Sequence, residues 1–492
     1  MAEFAIENFG CRAARADGEA IGAHLRLAGH CAQPSTDADV VIVNTCSVTA
    51  EADRAARAFI RRTHRRNPRA KIVVTGCYAQ RAPEELTGLE GVVAVIGNSH
   101  KALAPELVAE LLAGRAAAIP SLVQIAPVTA ASDLPSRHPL HALRAAPAAS
   151  APPQVVRVAP PQVAQGEQVV VYVDEAFAHS FLAEEQVAPG EQTRPNLKIQ
   201  EGCGNRCTFC VIPATRGPSR SLAAAFVLRQ VEGFVAAGGN ELVFSGINLG
   251  RWGRDLARKE TLAGLLRRIF AETALPLLRL SSVEPMDWDE DLIALVAEEG
   301  GRRLARHAHL PLQSGSDAVL RRMHRRYRPW HYADKVAALV RAAGPALTLG
   351  ADVMVGFPGE TEAEFLETVA LIRALPFGYL HLFPFSPRPG TPGEALHAAE
   401  PVSAQTTEER MSTLRALDAE KRIEHRRRFL GQTLPVLTLH TPKAMIARGR
   451  TAALTENFLP VEMDGVLPSN RMLRLAVTRI TAAGDLEGKG LG

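Results

Sequence analysis

Glu201 to Cys210 reads EGCGNRCTFC and sets Cys203, Cys207 and Cys210 at the spacing Cys-x3-Cys-x2-Cys on a predicted loop. Three thiolates this close together can hold three irons of a cubane cluster and leave the fourth iron without a protein ligand. An open metal position is where a substrate or cofactor binds, by the logic that separates catalytic from structural zinc sites. The competing reading is a zinc knuckle, which needs a fourth Cys or His nearby, and none lies within a dozen residues on either side.

Outward from the loop, the pattern is strand and helix in alternation. Leu197 to Gln200 is a predicted strand immediately before it, Leu222 to Ala237 a helix ending at Gly238-Gly239, and Glu241 to Ser245 the next strand. Leu277 to Ser282, Ala308 to Leu312, Leu347 to Val355 and Tyr379 to Phe383 supply four more. From Phe429 onward, LPVLTLH, MIARGRTAAL, FLPVEMD and RMLRLAVTRITA read as short strands at close spacing, the signal for a small barrel.

Toward the amino end, 115–195 changes character: nine prolines between Arg115 and Val170 punctuate an Ala/Val/Gln background, which favours extended linker over packed core from about Pro120 to Gln168. Within it, GEQVVVYVDE could add a strand to a sheet edge. Before it, Glu3 to about Leu112 alternates short apolar runs with helical segments, the pattern of a parallel sheet with crossover helices. Cys11 follows FAIENFG, Cys46 follows VVIVNT and Cys77 follows IVVTG, so all three stand just past strand ends, where open α/β sheets bind ligands. A second cluster with an open iron is the inference, against the alternative of three small buried hydrophobes. Cys31 lies in a plain helix-to-strand connection and is assigned no role.

A chain of 492 residues exceeds one core and suggests about three domains. Apolar content of 47% and charged content of 22% are those of an ordinary soluble protein. The net charge of +4 is too small to argue nucleic-acid binding, but its distribution is informative. Arg54 to Lys71 holds eight Lys or Arg and no acid, and KRIEHRRR (Lys421 to Arg428) five more with one Glu, the footprint expected for a phosphate backbone, with a solvated helix face as the equal alternative for either cluster alone. Arg54, Arg57, Arg61 and Arg65 fall at spacings of three or four and share one helix face. The first residues lack the apolar stretch of a secretory signal, and no apolar run approaches 18 residues. A cytoplasmic location is expected, where cysteines serve as ligands or nucleophiles more often than as disulfides.

The cysteine triplet with Phe209 resembles the radical S-adenosylmethionine superfamily, whose open iron chelates the cofactor's methionine part. NFGCRAARADGEAI, NTCSVTAEADRAARAFIRR and VTGCYAQRAPEEL resemble the N-terminal domain of methylthiotransferases, closest to the branch acting on threonylcarbamoyladenosine in tRNA. The resemblance implies an α/β fold: a flavodoxin-like parallel sheet with an auxiliary 4Fe-4S cluster on Cys11, Cys46 and Cys77 (1–114), a linker or insertion (115–195), a partial six-stranded radical S-adenosylmethionine barrel (196–428) and a TRAM-like RNA-binding barrel (429–492). It further implies that Phe209, Gly238, Gly239, Ser281, Ser282, Glu284, Gln313 and Val355 contact S-adenosylmethionine. Two 4Fe-4S clusters, a tRNA anticodon loop as partner, a flavodoxin or ferredoxin as electron donor and a monomeric state complete the expectation. The chain departs from the family at Ala214, where an aromatic is common. The alternatives are the same chemistry on isopentenyladenosine in tRNA or on a ribosomal-protein aspartate, and a non-catalytic zinc-bearing RNA-binding protein.

Overall fold

A computed structural model describes residues 2–113, 156–157, 169–177 and 193–491. The chain divides into two compact units: Met1–Phe9, Ile21–Cys46 and Asp53–Phe181 form the first, and Gly10–Ala20, Ser47–Ala52 and Leu182–Gly492 the second.

The first unit is built on a sheet of β1 (Glu3–Asn8), β2 (Cys31–Ala32), β3 (Val40–Thr45), β4 (Lys71–Gly76), β5 (Val92–Gly97), β6 (Val156–Arg157) and β7 (Val170–Tyr172), in the order β2-β1-β3-β4-β5-β7-β6. All neighbours are parallel except β6 and β7. VVIVNT in β3 is buried at every position, the signature of a strand covered on both faces. Helix α1 (Arg12–Leu27) follows β1, and helix α2 (Ala50–Arg66) follows β3.

The strand expected within GEQVVVYVDE is present. Val170–Tyr172 pairs in parallel with β5, and Val169, Val171 and Tyr172 are buried, so an apolar β-branched run surrounded by proline and polar residues joins the sheet. The sheet therefore outlasts the boundary expected at residue 114. The rest of the expected linker lies outside the described residues, apart from Val156–Arg157 and the residues from Thr193 on.

The second unit carries the remaining strands. β8 (Asn196–Glu201), β10 (Glu241–Gly246), β11 (Leu277–Leu280), β12 (His307–His309), β13 (Thr348–Val355) and β14 (Phe377–Pro384) run parallel, with β9 (Arg220–Ser221) antiparallel on the outer edge of β8. Parallel bridges Leu278↔Leu304 and Ser282↔His309 join the β11 edge to β12, giving the order β8-β10-β11-β12-β13-β14. These are the six strands expected for the partial barrel. Helices such as Ala224–Ala236 and Leu262–Glu272 pack Val227, Val231, Phe234, Leu265 and Ile269 against it in one apolar core.

β15 (Thr433–Thr438), β16 (Arg450–Thr455), β17 (Pro460–Asp464), β18 (Met472–Ile480) and β19 (Leu486–Leu491) close a barrel in the order β15-β16-β17-β19-β18. MIAR, expected within a strand, begins as a helical turn (Lys443–Ile446). β19 (LEGKGL) carries no alternation to announce it, yet Gly488 is required there, because a Cβ would lie 2.2 Å from the Ala476 carbonyl oxygen.

Candidate metal and cofactor site

β8 delivers the cysteine loop to the carboxyl end of the six-stranded barrel. Gly202 turns the chain with φ 71°, and a Cβ there would stand 2.0 Å from the Pro218 carbonyl oxygen. Beyond it, Cys203 N donates to Gly217 O at 3.0 Å, Thr208 N to Met323 O at 3.2 Å and Cys210 N to Cys207 O at 3.1 Å. The buried Gln200 links this loop to the one after β10: its Nε2 donates to Gly202 O at 2.7 Å, and its Oε1 accepts from Asn248 N at 2.6 Å. No sequence pattern announced Gln200, since a single polar residue in a strand reads as an exposed position.

The three sulfurs influence one another electrostatically, yet they do not lie within 4.8 Å of one another; among the described residues only His309, Asp352 and His381 gather that tightly. One zinc ion with bonds of about 2.3 Å would draw three sulfurs to within about 4 Å of each other. A cubane that gives each thiolate its own iron needs the wider spacing. The zinc-knuckle reading thus lacks its fourth ligand.

Burial pushes the Cys203 thiol up and the Cys210 thiol up to about 12, so in the absence of metal these groups stay protonated at neutral pH. Coordination removes such protons outright. Donors surround the sulfurs: Arg325 Nη1 donates to Cys207 Sγ at 3.2 Å, Asn205 N to Cys203 Sγ at 3.4 Å and Asn248 Nδ2 to Cys203 Sγ at 3.7 Å. Burial by itself would lower the Arg325 pKa, but Tyr327, Glu284 and Cys207 raise it well above the usual value and the group stays cationic. Arg325 was not legible in the sequence because it sits in the basic run RRMHRRYR.

Several residues expected to contact the cofactor come to the same barrel end. Ser281 and Ser282 close β11, Glu284 opens the next turn and donates its charge to an ion pair with Arg325, and Gln313 leaves the segment after β12 in the left-handed region at φ 62°. Gln313 N donates to Asp352 O at 2.8 Å, and Gln313 O accepts from Met354 N at 2.9 Å, which fixes the strained backbone. Val355 is buried in the core with its carbonyl accepting from Phe385 N, and Phe209 packs at the edge of that core. Ser245 Oγ, Asn248 Oδ1, Ser281 Oγ and Gln313 Oε1 are all buried without a hydrogen-bond partner among the described residues. Four orphaned polar atoms at one barrel mouth suit a polar ligand such as S-adenosylmethionine, since buried polar groups are normally satisfied.

Gly238 and Gly239 do not join them. They end the helix Ala224–Ala236, Gly238 N and Gly239 N donate to Val235 O and Phe234 O, and they precede β10 at its amino end, the opposite end from the cysteine loop. The pair is a helix stop with φ 81° at Gly238, and Asn248, past the carboxyl end of β10, faces Cys203 instead.

In the first unit, Thr45 and Gly76 are register partners, so Cys46 and Cys77 follow adjacent strand ends, and both are buried. Asn98 Nδ2 donates to Cys77 Sγ at 3.3 Å. Cys11, which belongs to the second unit, is exposed and stands three residues past Asn8 in sequence. Cys31 lies on the edge strand β2. On α2, Arg54, Arg61 and Arg65 are exposed as expected, but Arg57 is not free: its Nη1 bonds Tyr78 Oη and Glu85 Oε2, the latter at 3.2 Å. The KRIEHRRR run is likewise largely structural. Lys421 Nζ donates to Arg373 O and Leu375 O, Arg422 pairs with Asp418 and Arg426 with Asp485, leaving Arg427 and Arg428 exposed.

Residues 3–97 match the model of an uncharacterized protein family, UPF0004, and residues 197–372 that of the radical SAM superfamily. The threonylcarbamoyladenosine tRNA methylthiotransferase of Aquifex aeolicus is 32% identical over 96% of this chain and 99% of its own length; that of Bacillus subtilis is 32% identical over 94% and 91%. The tRNA-2-methylthio-N(6)-dimethylallyladenosine synthase of Geobacter metallireducens is 31% identical over 88% and 86%. Among solved structures, the radical S-adenosylmethionine methyltransferase TsrM of Kitasatospora setae, with cobalamin and a 4Fe-4S cluster bound, shares the fold at a TM-score of 0.51 and 15% identity, covering 78% of this chain and 75% of its own.

Proposed function

The chain belongs to the methylthiotransferase family of radical S-adenosylmethionine enzymes, and from that premise we propose that it attaches a methylthio group to carbon 2 of threonylcarbamoyladenosine beside the anticodon of tRNA. The observation that carries this is the near full-length similarity to relatives named for that substrate, joined to a cysteine triplet and orphaned polar atoms at one barrel mouth. Carbon 2 bears a hydrogen that no side-chain base removes, and the bound cluster and S-adenosylmethionine supply the carbon radical needed in its place.

The chain's own residues do the rest. Cys203, Cys207 and Cys210 are the ligands that leave one iron open, Arg325 and Asn248 donate to their sulfurs, and Ser281 and Gln313 take the polar groups of the cofactor. Cys11, Cys46 and Cys77 hold the auxiliary 4Fe-4S cluster that carries the sulfur. The target base leaves its stack to enter, at small cost in an anticodon loop. A flavodoxin or ferredoxin donates the electron, the protein acts as a monomer, and the setting is the cytoplasm.

The test is anaerobic reconstitution with iron counting, and mass analysis of tRNA nucleosides from a deletion strain. Changing Cys203, Cys207 and Cys210 to Ala should halve the bound iron and abolish 5'-deoxyadenosine formation. The same change at Cys11, Cys46 and Cys77 should halve the iron and leave cofactor cleavage measurable. The dimethylallyladenosine reading is the second one, because a relative named for it is 31% identical; the missing nucleoside in the deletion strain separates the two.

A further inference from the structure

Phe458, on the turn between β16 and β17, adopts φ 72°, a conformation an aromatic residue holds only when its surroundings impose it. Its ring enters a polar group on the six-stranded barrel, 4.4 Å from the His307 ring and 5.7 Å from the Tyr379 ring. Three guanidiniums share that ring: Arg279 at 5.2 Å, Arg12 at 5.4 Å and Arg194 at 5.8 Å.

Their charges do not balance. Glu241, fully buried, takes Arg279 at 2.6 Å and Arg194 at 3.0 Å. Arg12 has neither an ion pair nor a hydrogen bond among the described residues; it rests on the Phe458 ring, and Glu241 and Asp352 act on it only from beyond ion-pair distance. The nearby carboxylates are occupied: Asp352 lies between His309 at 3.1 Å and His381 at 3.3 Å, and Glu456 is held by Arg306. Two carboxylates, Glu241 and Asp352, thus face three guanidiniums, and only Glu241 touches any of them, in a region where Arg279 and His307 are 0% and 3% exposed. An uncompensated charge withdrawn from water is costly, and an incoming anion removes that cost.

Position identifies the anion. Arg12 follows Cys11 in sequence, and in the reaction proposed above that cysteine serves the sulfur transfer to carbon 2, which ties the unmatched guanidinium to the target base. Carbon 6, which bears N6, and carbon 2 of adenine flank the same ring nitrogen, and the threonylcarbamoyl group on N6 ends in a carboxylate. We propose that Arg12, seated on Phe458, receives an oxyanion of the target nucleotide, in first place the threonyl carboxylate, and so selects adenosine carrying an acidic N6 substituent. The proposal rests on the reaction assigned above.

The reconstituted full-length enzyme would be titrated with three anticodon stem-loop RNAs, alike except that the target adenosine carries the threonylcarbamoyl group, its carboxyl methyl ester, or no substituent. Wild type should bind the acid roughly 10- to 100-fold more tightly than the ester, the scale of a lost charge-assisted hydrogen bond. Arg12→Gln should bind acid and ester alike with iron content unchanged, and Arg12→Lys should recover part of the preference. If Arg12→Gln weakens all three RNAs equally, the oxyanion is a backbone phosphate. Wild type binding acid and ester alike, with Arg12→Gln matching it on every RNA, overturns the proposal; should Arg12→Gln lose iron, the wild-type comparison of acid with ester decides alone. Failure of wild type to methylthiolate the acid-bearing RNA would overturn the assigned reaction instead.

Discussion

Arg325 donates to a cysteine sulfur and neutralises Glu284 with the same guanidinium, so its loss changes the electronics of the site without removing a ligand. Arg325→Gln should keep iron content while lowering the reduction potential of the cluster, because a positive charge beside it favours the added electron. Groups that orient and tune metal ligands typically cost 10- to 100-fold when changed, so uncoupled cofactor cleavage should fall by about that factor. Potentiometry followed by electron paramagnetic resonance, with 5'-deoxyadenosine measured in parallel, checks both. At this scale the cysteines were legible because their spacing is itself the chemistry. Asn248, Gln200 and Arg325 were not, since each works through a contact dozens of residues away. Gly238-Gly239 was misread because a glycine pair serves equally as a helix stop and as a ligand turn, and only its strand end tells them apart.

Among the elements, α2 presents Arg54, Arg61 and Arg65 outward, whereas Arg57 is tied to Tyr78 and Glu85. Changing Arg61 and Arg65 to Ala should weaken tRNA binding and lower its salt slope by about 1.4 to 1.8, at 0.7 to 0.9 per lost phosphate contact. Arg57→Ala should instead act on stability, and filter binding at several salt concentrations distinguishes the cases. The helix Ala404–Arg427 makes a second prediction. His425 is 1% exposed, its Nε2 lies 2.9 Å from Thr348 Oγ1, and burial lowers its pKa to about 4. The unfolded chain binds the proton more readily, so this contribution is complete above about 6.5 and is lost as the pH falls toward about 4, at a cost of about 3 kcal/mol. Denaturant unfolding between those limits should show that slope, and His425→Asn should flatten it. The face of α2 was readable from its three-and-four spacing, but the same periodicity cannot tell a free arginine from one bonded to a neighbouring helix.

At the scale of the molecule, the carboxyl-terminal barrel does more than add basic surface. Glu456 holds Arg306, the carbonyls of Thr455 and Glu456 accept from the buried Arg279, and Asn470 exchanges hydrogen bonds with Asn240 and Gly238. Ending the chain after Arg428 would strand Arg279 and Arg306 with their carbonyl and carboxylate partners gone, and leaving buried donors unsatisfied costs about 1 to 3 kcal/mol each. The truncated protein should therefore melt several degrees lower in calorimetry, beyond any loss of tRNA affinity. A melting temperature equal to that of the full chain would mean that the barrel is an independent appendage.

Local pattern alone determined the alternation of strand and helix, the six strands of the central barrel, the small closing barrel and the Cys203–Cys207–Cys210 spacing, because periodicity, turn residues and ligand spacing act over a few residues. The sequence offered Val170–Tyr172 as an edge strand, and tertiary structure decided which edge it joins, since three apolar residues name no partner until one such as β5 is there to pair with them. It also decided that Glu241 answers Arg194 and Arg279 while Arg12 rests on Phe458 without an ion pair among the described residues. A buried charge balance is a sum over side chains brought together from distant segments, and no window of sequence contains its terms.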